Sequence, residues 1–157
     1  MKVLIRYDSK HGGAKQLSET IAKQLKANVI HVKENAEDDA YDKILCICPV
    51  YMGRMNKTMI SYIQSSSHPN IGLCLVGLNV DEAEKCAKEN LGEQTNKLAL
   101  IKGVGGVLNF PDMGFMERRI IAMVNKQKKM IEHINTGKVY EMWREEEILQ
   151  VISWVKK

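Results

Sequence analysis

Proline is scarce in this chain, with 3 residues in 157, and aromatic residues make up only 6%. No apolar run approaches the roughly 18 residues that a membrane-spanning helix needs, so a transmembrane helix is excluded. The few aromatics do not interleave with basic residues and no nucleic-acid motif is present, so the net charge of +4 permits acidic partners without implying nucleic acid. Neither GxGxxG nor GxxxxGK followed by Ser or Thr occurs, which weakens dinucleotide and nucleoside-triphosphate readings. The four cysteines (Cys46, Cys48, Cys74 and Cys86) lack zinc spacing, and no other metal set or acid–base dyad stands out. Cys46 and Cys48 share the parity of one strand face, and Cys74 lies in another strand-like run. Buried free thiols in a cytoplasmic protein are therefore expected. The N-terminus enters a strand at once, so no signal peptide is expected.

What is there is an alternating pattern. A content of 45% hydrophobic and 27% charged residues is that of a globular protein, and the length predicts one domain over 1–157. Strands are expected at 2–7, Val29 to Val32, Lys43 to Cys48 (stopped by Pro49), Ile71 to Val76 and Leu98 to Val104. Between them, helical spacing runs over 13–26, over 55–66 and from Asp81 to Leu91, with Asp81 expected as a first-turn acid. Acidic residues from Glu34 to Asp39 read as a solvated connection. Ile148, Val151, Ile152 and Val155 mark a closing helix. Strands alternating with helices predict an α/β fold, a parallel sheet covered on both faces. The unbroken apolar run Ile44 to Cys48 suits a strand buried on both sides. Ligands of such sheets sit at the carboxyl ends of the strands, which directs attention to the loops starting near residues 8, 49, 77 and 105.

The first of these loops is Ser9-Lys10-His11-Gly12-Gly13-Ala14, between an apolar strand and the helix carrying Leu17, Ile21 and Leu25. Such a loop presents backbone N–H groups at a helix N-terminus, where they bind an anion, usually phosphate. The second is Pro49-Val50-Tyr51-Met52-Gly53-Arg54. Gly53 permits a positive φ or the close approach of a flat ligand, and Tyr51 and Met52 can cover a ring or tuck down as ordinary apolar turn residues. The third is Gly77-Leu78-Asn79-Val80, where Asn79 reads first as a helix cap.

These three loops, in this order, resemble the flavodoxin family, whose phosphate loop reads roughly Ser/Thr-x-Thr-Gly-x-Thr. The resemblance implies a three-layer α/β sandwich with a five-stranded parallel sheet and FMN at its carboxyl edge. It places the phosphate on Ser9 to Ala14 and the flavin ring against Val50, Tyr51, Met52, Gly53, Leu78 and Asn79. Ser9 and Gly12 match the motif. Lys10, His11 and Ala14 bring no hydroxyl, His11 and Ala14 at positions where the motif has threonine, and losing one hydrogen bond to a charged group costs roughly 1.5–3 kcal/mol. Backbone amides, with the positive charge of Lys10 and His11, would have to offset that loss.

Within that superfamily the chain is most similar to the menaquinone-dependent protoporphyrinogen dehydrogenase branch. The similarity rests on Val50-Tyr51-Met52-Gly53-Arg54, on Asn79, on the long segment with Pro111 and Glu117-Arg118-Arg119, and on Trp143. It implies a helical, basic insertion over 111–143 between the fifth strand and the closing helix, a quinone acceptor and a tetrapyrrole substrate. Arg118, Arg119 and Lys126 become candidates for substrate or membrane contact, as in a helix lying at the inner face of a membrane. An alternative is that one face of this helix packs on the sheet while its charges stay in water. Three functions stay open at this level: an FMN-dependent oxidoreductase, a plain electron shuttle serving a redox partner protein, and a flavin-free module acting by protein binding.

Overall fold

The computed structural model describes residues 1–78 and 81–157. The chain opens with strand β1 (Val3–Tyr7), helix α1 (Gly13–Leu25) and strand β2 (Asn28–His31). Then come β3 (Lys43–Tyr51), the short β4 (Arg54–Met55), α2 (Lys57–Ser65), β5 (Ile71–Val76), α3 (Ala83–Leu91) and β6 (Leu98–Gly103). The last third holds β7 (Gly105–Asn109), α4 (Phe115–Lys128), β8 (Val139–Trp143) and α5 (Glu145–Lys156). Five strands pair in parallel in the order β2-β1-β3-β5-β6.

Strand side chains alternate between two apolar layers, which is why the central strands are apolar at every position. Leu4, Ile44, Cys46 and Leu73 point to one face, under Met59 and Ile63 of α2 and Ala87 and Leu91 of α3. Val3, Ile5, Leu45 and Ile47 point to the other, under Leu17 and Ile21 of α1 and Val151 and Val155 of α5. Leu4, Ile5, Ile44, Leu45 and Ile47 are fully buried. Each such side chain contributes roughly 1.5–3 kcal/mol relative to exposure. The one charge sunk into this sheet, Arg6, is 3% exposed, donates to Asp38 Oδ1 at 2.7 Å and to the Glu34 carbonyl at 2.8 Å, and lies over the Tyr62 ring. The acidic stretch after β2 therefore supplies the partner of a buried guanidinium, beyond the solvated connection its composition predicts.

Two expectations need correction. Pro49 does not stop β3, which runs on to Tyr51 and turns back into β4. The Ile47 carbonyl accepts from Asp8 N–H at 3.1 Å, so the odd-numbered residues of β3 face β1. The N–H that Pro49 lacks would point past the end of β1, and no ladder bond is lost. Asp81 precedes α3 instead of lying in its first turn, and it pairs with Arg144 and, at 3.6 Å, with Lys128. The Arg144 hydrogen bond, more than any other influence, holds its carboxyl below the usual range.

The insertion contains more than a helix. β7 and β8 form an antiparallel ribbon from Gly105↔Trp143 to Asn109↔Val139, and α4 lies between them in sequence. Leu108, Phe110, Met113 and Ile121 make a small apolar core of their own. The ribbon joins the sheet edge through Gly77 N–H, which donates to the Gly105 carbonyl at 2.8 Å.

Candidate functional site

Three strand ends converge beside the ribbon, and glycines allow them to do so. A Cβ on Gly77 would lie 2.9 Å from the Val50 carbonyl oxygen, and one on Gly106 would lie 3.2 Å from Gly77 N. Side chains at either position would push the carboxyl ends of β3 and β5 away from each other and from the start of β7. The result is a cleft with the loop after β1 on one side and the insertion on the other, lined among others by Lys10, Ala14, Tyr51, Leu78, Val107 and Ile121.

The loop itself is ordered by short-range bonds. Ser9 N–H donates to Asp8 Oδ1 at 2.8 Å, and Gly12 N–H donates to Ser9 Oγ at 3.1 Å. Gly12 has φ +89° and turns the chain into α1. Gln16 N–H makes the first intrahelical bond, to the Gly12 carbonyl. The N–H groups of Gly13, Ala14 and Lys15 therefore belong to the unsatisfied first turn, and that turn has no acidic residue. This is the local chemistry of an anion cradle.

The chain supplies an anion to the side chains of this loop. Glu117 of α4 reaches over the cleft and places Oε2 2.5 Å from His11 Nε2 and Oε1 3.8 Å from Lys10 Nζ. The other ring nitrogen of His11 lies 2.8 Å from Asp112 Oδ2. Lys10 Nζ also sits 4.1 Å from the centroid of the Tyr51 ring. The space left between loop, Tyr51 and insertion is a cavity of about 90 Å³. Sites that bury a small-molecule cofactor measure roughly 300–1,000 Å³.

Of the residues expected from sequence, Ser9, Lys10, His11, Gly13, Ala14, Val50, Tyr51 and Leu78 line this cleft together. Gly12, which turns the chain into α1, is not in the lining, and neither are Met52 and Gly53. The latter two form the tip of the β3–β4 hairpin, with φ +51° and +75°, and face a separate surface depression beside Glu89 and Asn90. Positive φ at both central residues is the hairpin's primed-turn geometry, and Met52 stays 68% exposed. Asn79 lies outside the described residues.

In the insertion, Arg118 donates from Nε to the Phe110 carbonyl at 3.0 Å and is used to brace its own segment. Arg119 and Lys126 are exposed, and Arg119 lies over the Phe115 ring. Together with Phe115, Met116 and Met123, which are all at least 66% exposed, they form an apolar and basic outer face on α4. Sequence reasoning did not single out Asp112, Val107 or the contact made by Glu117. The available signal was the spacing Met113, Glu117, Ile121, which puts one carboxylate in the middle of an apolar helix face.

The flavodoxin-domain family model matches residues 4–133 of the chain. Among solved structures, a Lactobacillus acidophilus NCFM flavoprotein in complex with FMN superimposes with a TM-score of 0.54 at 16% identity, over 66% of this chain and 92% of that one. A Bacteroides eggerthii DSM 20697 protein, provisionally assigned as a flavoprotein, gives a TM-score of 0.54 at 11% identity, over 80% of this chain and 96% of that one. No curated protein matches the chain significantly.

Proposed function

The chain belongs to the flavodoxin family, and from that premise we propose that it is an FMN-dependent redox protein working at the cleft between the first loop and the insertion. The observation that carries this is the resident anion. Lys10 and His11, on the loop that leads into α1, already hold the Glu117 carboxylate, and the family resemblance assigns a phosphate to this same loop. The residues present fit the group in kind. The backbone from Lys10 to Ala14 with Ser9 would hold the phosphate, and Val50, Tyr51 and Leu78 offer apolar surface to the ring. When bound, the flavin supplies reversible uptake of one or two electrons. The protein's part is to bind it, orient it, exclude water with the insertion and shield the ring edge.

The finer reading is oxidation of a protoporphyrinogen-type tetrapyrrole with a quinone acceptor. Its support is the outer face of α4, where Phe115, Met116 and Met123 stand beside Arg119 and Lys126. Apolar side chains ringed by cations suit contact with an anionic lipid surface, where each cation contributes about 1 kcal/mol. Anaerobic turnover of protoporphyrinogen with menaquinone in anionic vesicles tests it. Quinone-dependent oxidation that falls when Arg119 and Lys126 are both changed to Glu agrees with this reading. No turnover, together with rapid electron exchange with a flavin reductase, would establish the plain shuttle instead.

A further inference from the structure

We propose that Glu117 is a specificity-determining residue of the cleft: its carboxylate occupies the position of the cofactor's phosphate and must leave when that phosphate arrives. This rests on the FMN reading above. Two separate observations support it. First, the partners of Glu117 are the loop's own side chains, His11 Nε2 at 2.5 Å and the Lys10 ammonium at 3.8 Å. A phosphate monoester is an anion of the same sign with more charge and more acceptor oxygens. It competes with the Glu117 carboxylate for His11 Nε2 and Lys10 Nζ, because like charges in one partly buried site repel. Second, the cavity beside this contact is about 90 Å³, too small for a flavin ring. From the insertion side it is closed by Met113, Glu117 and Ile121, which precede or lie on α4, together with Gly106, Val107 and Leu108 of β7. A withdrawal of α4 would both displace Glu117 and widen the cavity.

The phosphate end of the cofactor is thereby coupled to the insertion, which carries the outer face described above. Asp112 is the second carboxylate on His11, at 2.8 Å, but it is 58% exposed at its side chain and lies outside the cavity lining. It can keep its contact while Glu117 moves. Tyr51, under Lys10, takes over as that cation's neighbour when Glu117 withdraws.

The test compares FMN with riboflavin, which has the same ring and no phosphate. Dissociation constants of both are measured by flavin fluorescence quenching for the wild type, Glu117→Gln and Glu117→Ala. Glu117 is partly exposed on a helix surface, so both variants should retain the fold, and two chemically different replacements guard against an effect peculiar to one. Loosening the insertion helps both flavins, whereas removing a competing anion helps only FMN. The ratio of the riboflavin constant to the FMN constant should rise at least about tenfold in both variants, the size expected for recovering a charge-assisted hydrogen bond. An unchanged or smaller ratio in either variant, with FMN still binding, overturns the role of Glu117 and leaves the flavin reading standing. Failure of both flavins to bind all three proteins overturns the flavin reading, and this proposal with it.

Discussion

At the scale of single residues, the site depends on positions where side chains are absent. Gly105 has φ +76°, and a Cβ there would stand 2.0 Å from the Met142 carbonyl oxygen of β8. Gly105→Ala should therefore cost roughly 2–4 kcal/mol, from left-handed strain and overpacking together. Urea unfolding measures it directly, and a midpoint equal to that of the wild type would contradict the described ribbon. The thiols behave in the opposite way, because they are filled into the core. Burial pushes Cys74 up to about 12 and, as the largest of several causes, Cys48 also up to about 12, against 9.0 in the open chain. Both should resist a thiol-specific reagent in the native protein at pH 8 and react once it is unfolded. The sign of the linkage follows. Their contribution to stability is complete below pH 9, where both states hold the proton, and declines as pH rises toward 12, where only the folded state holds it. A denaturation series at rising pH should show stability falling above pH 9, and a gain there would contradict the burial of these thiols.

At the scale of elements, α4 is fixed at both ends by side chains of the insertion itself. Arg118 holds the Phe110 carbonyl near its start. Near its end, Asn125 Nδ2 donates to the Ile131 carbonyl at 2.7 Å, and Ile131 N–H donates to Asn125 Oδ1 at 2.8 Å. Asn125→Ala removes both bonds, worth roughly 1–2 kcal/mol together. Hydrogen exchange should quicken over 129–134 while amides of β1, β3 and β5 keep their protection. Quickening of the central strands would mean that the insertion is not a separable unit.

The order of strands and helices was legible from sequence because buried parallel strands are unbroken apolar runs, as at Ile44 to Cys48. The course of β3 beyond Pro49 was not. Whether a proline breaks a strand depends on which way its missing N–H would have pointed, and a linear pattern does not carry that. The β7–β8 ribbon was hidden for a related reason, since Gly105 and Trp143 pair across the whole insertion. Of the site, the loop from Ser9 to Ala14 could be read from its place after the first strand, and so could Tyr51 and Leu78. The contact of Glu117 with His11 spans 106 positions, and only folding brings it about.

At the scale of the whole molecule, a parallel sheet delivers three strand ends to one edge, and the insertion covers that edge with a helix whose inner face carries a single carboxylate toward a cationic loop. On the reading proposed above, this covered edge receives FMN, with the phosphate on the loop and the ring between Tyr51 and the insertion. Equilibrium titration of the purified protein with FMN, followed by quenching of flavin fluorescence, tests it most directly. Saturable quenching at one FMN per chain is expected, weakened when Gly13 is changed to Asp so that a carboxylate stands at the start of α1. Fluorescence that stays that of free FMN at every protein concentration would contradict it.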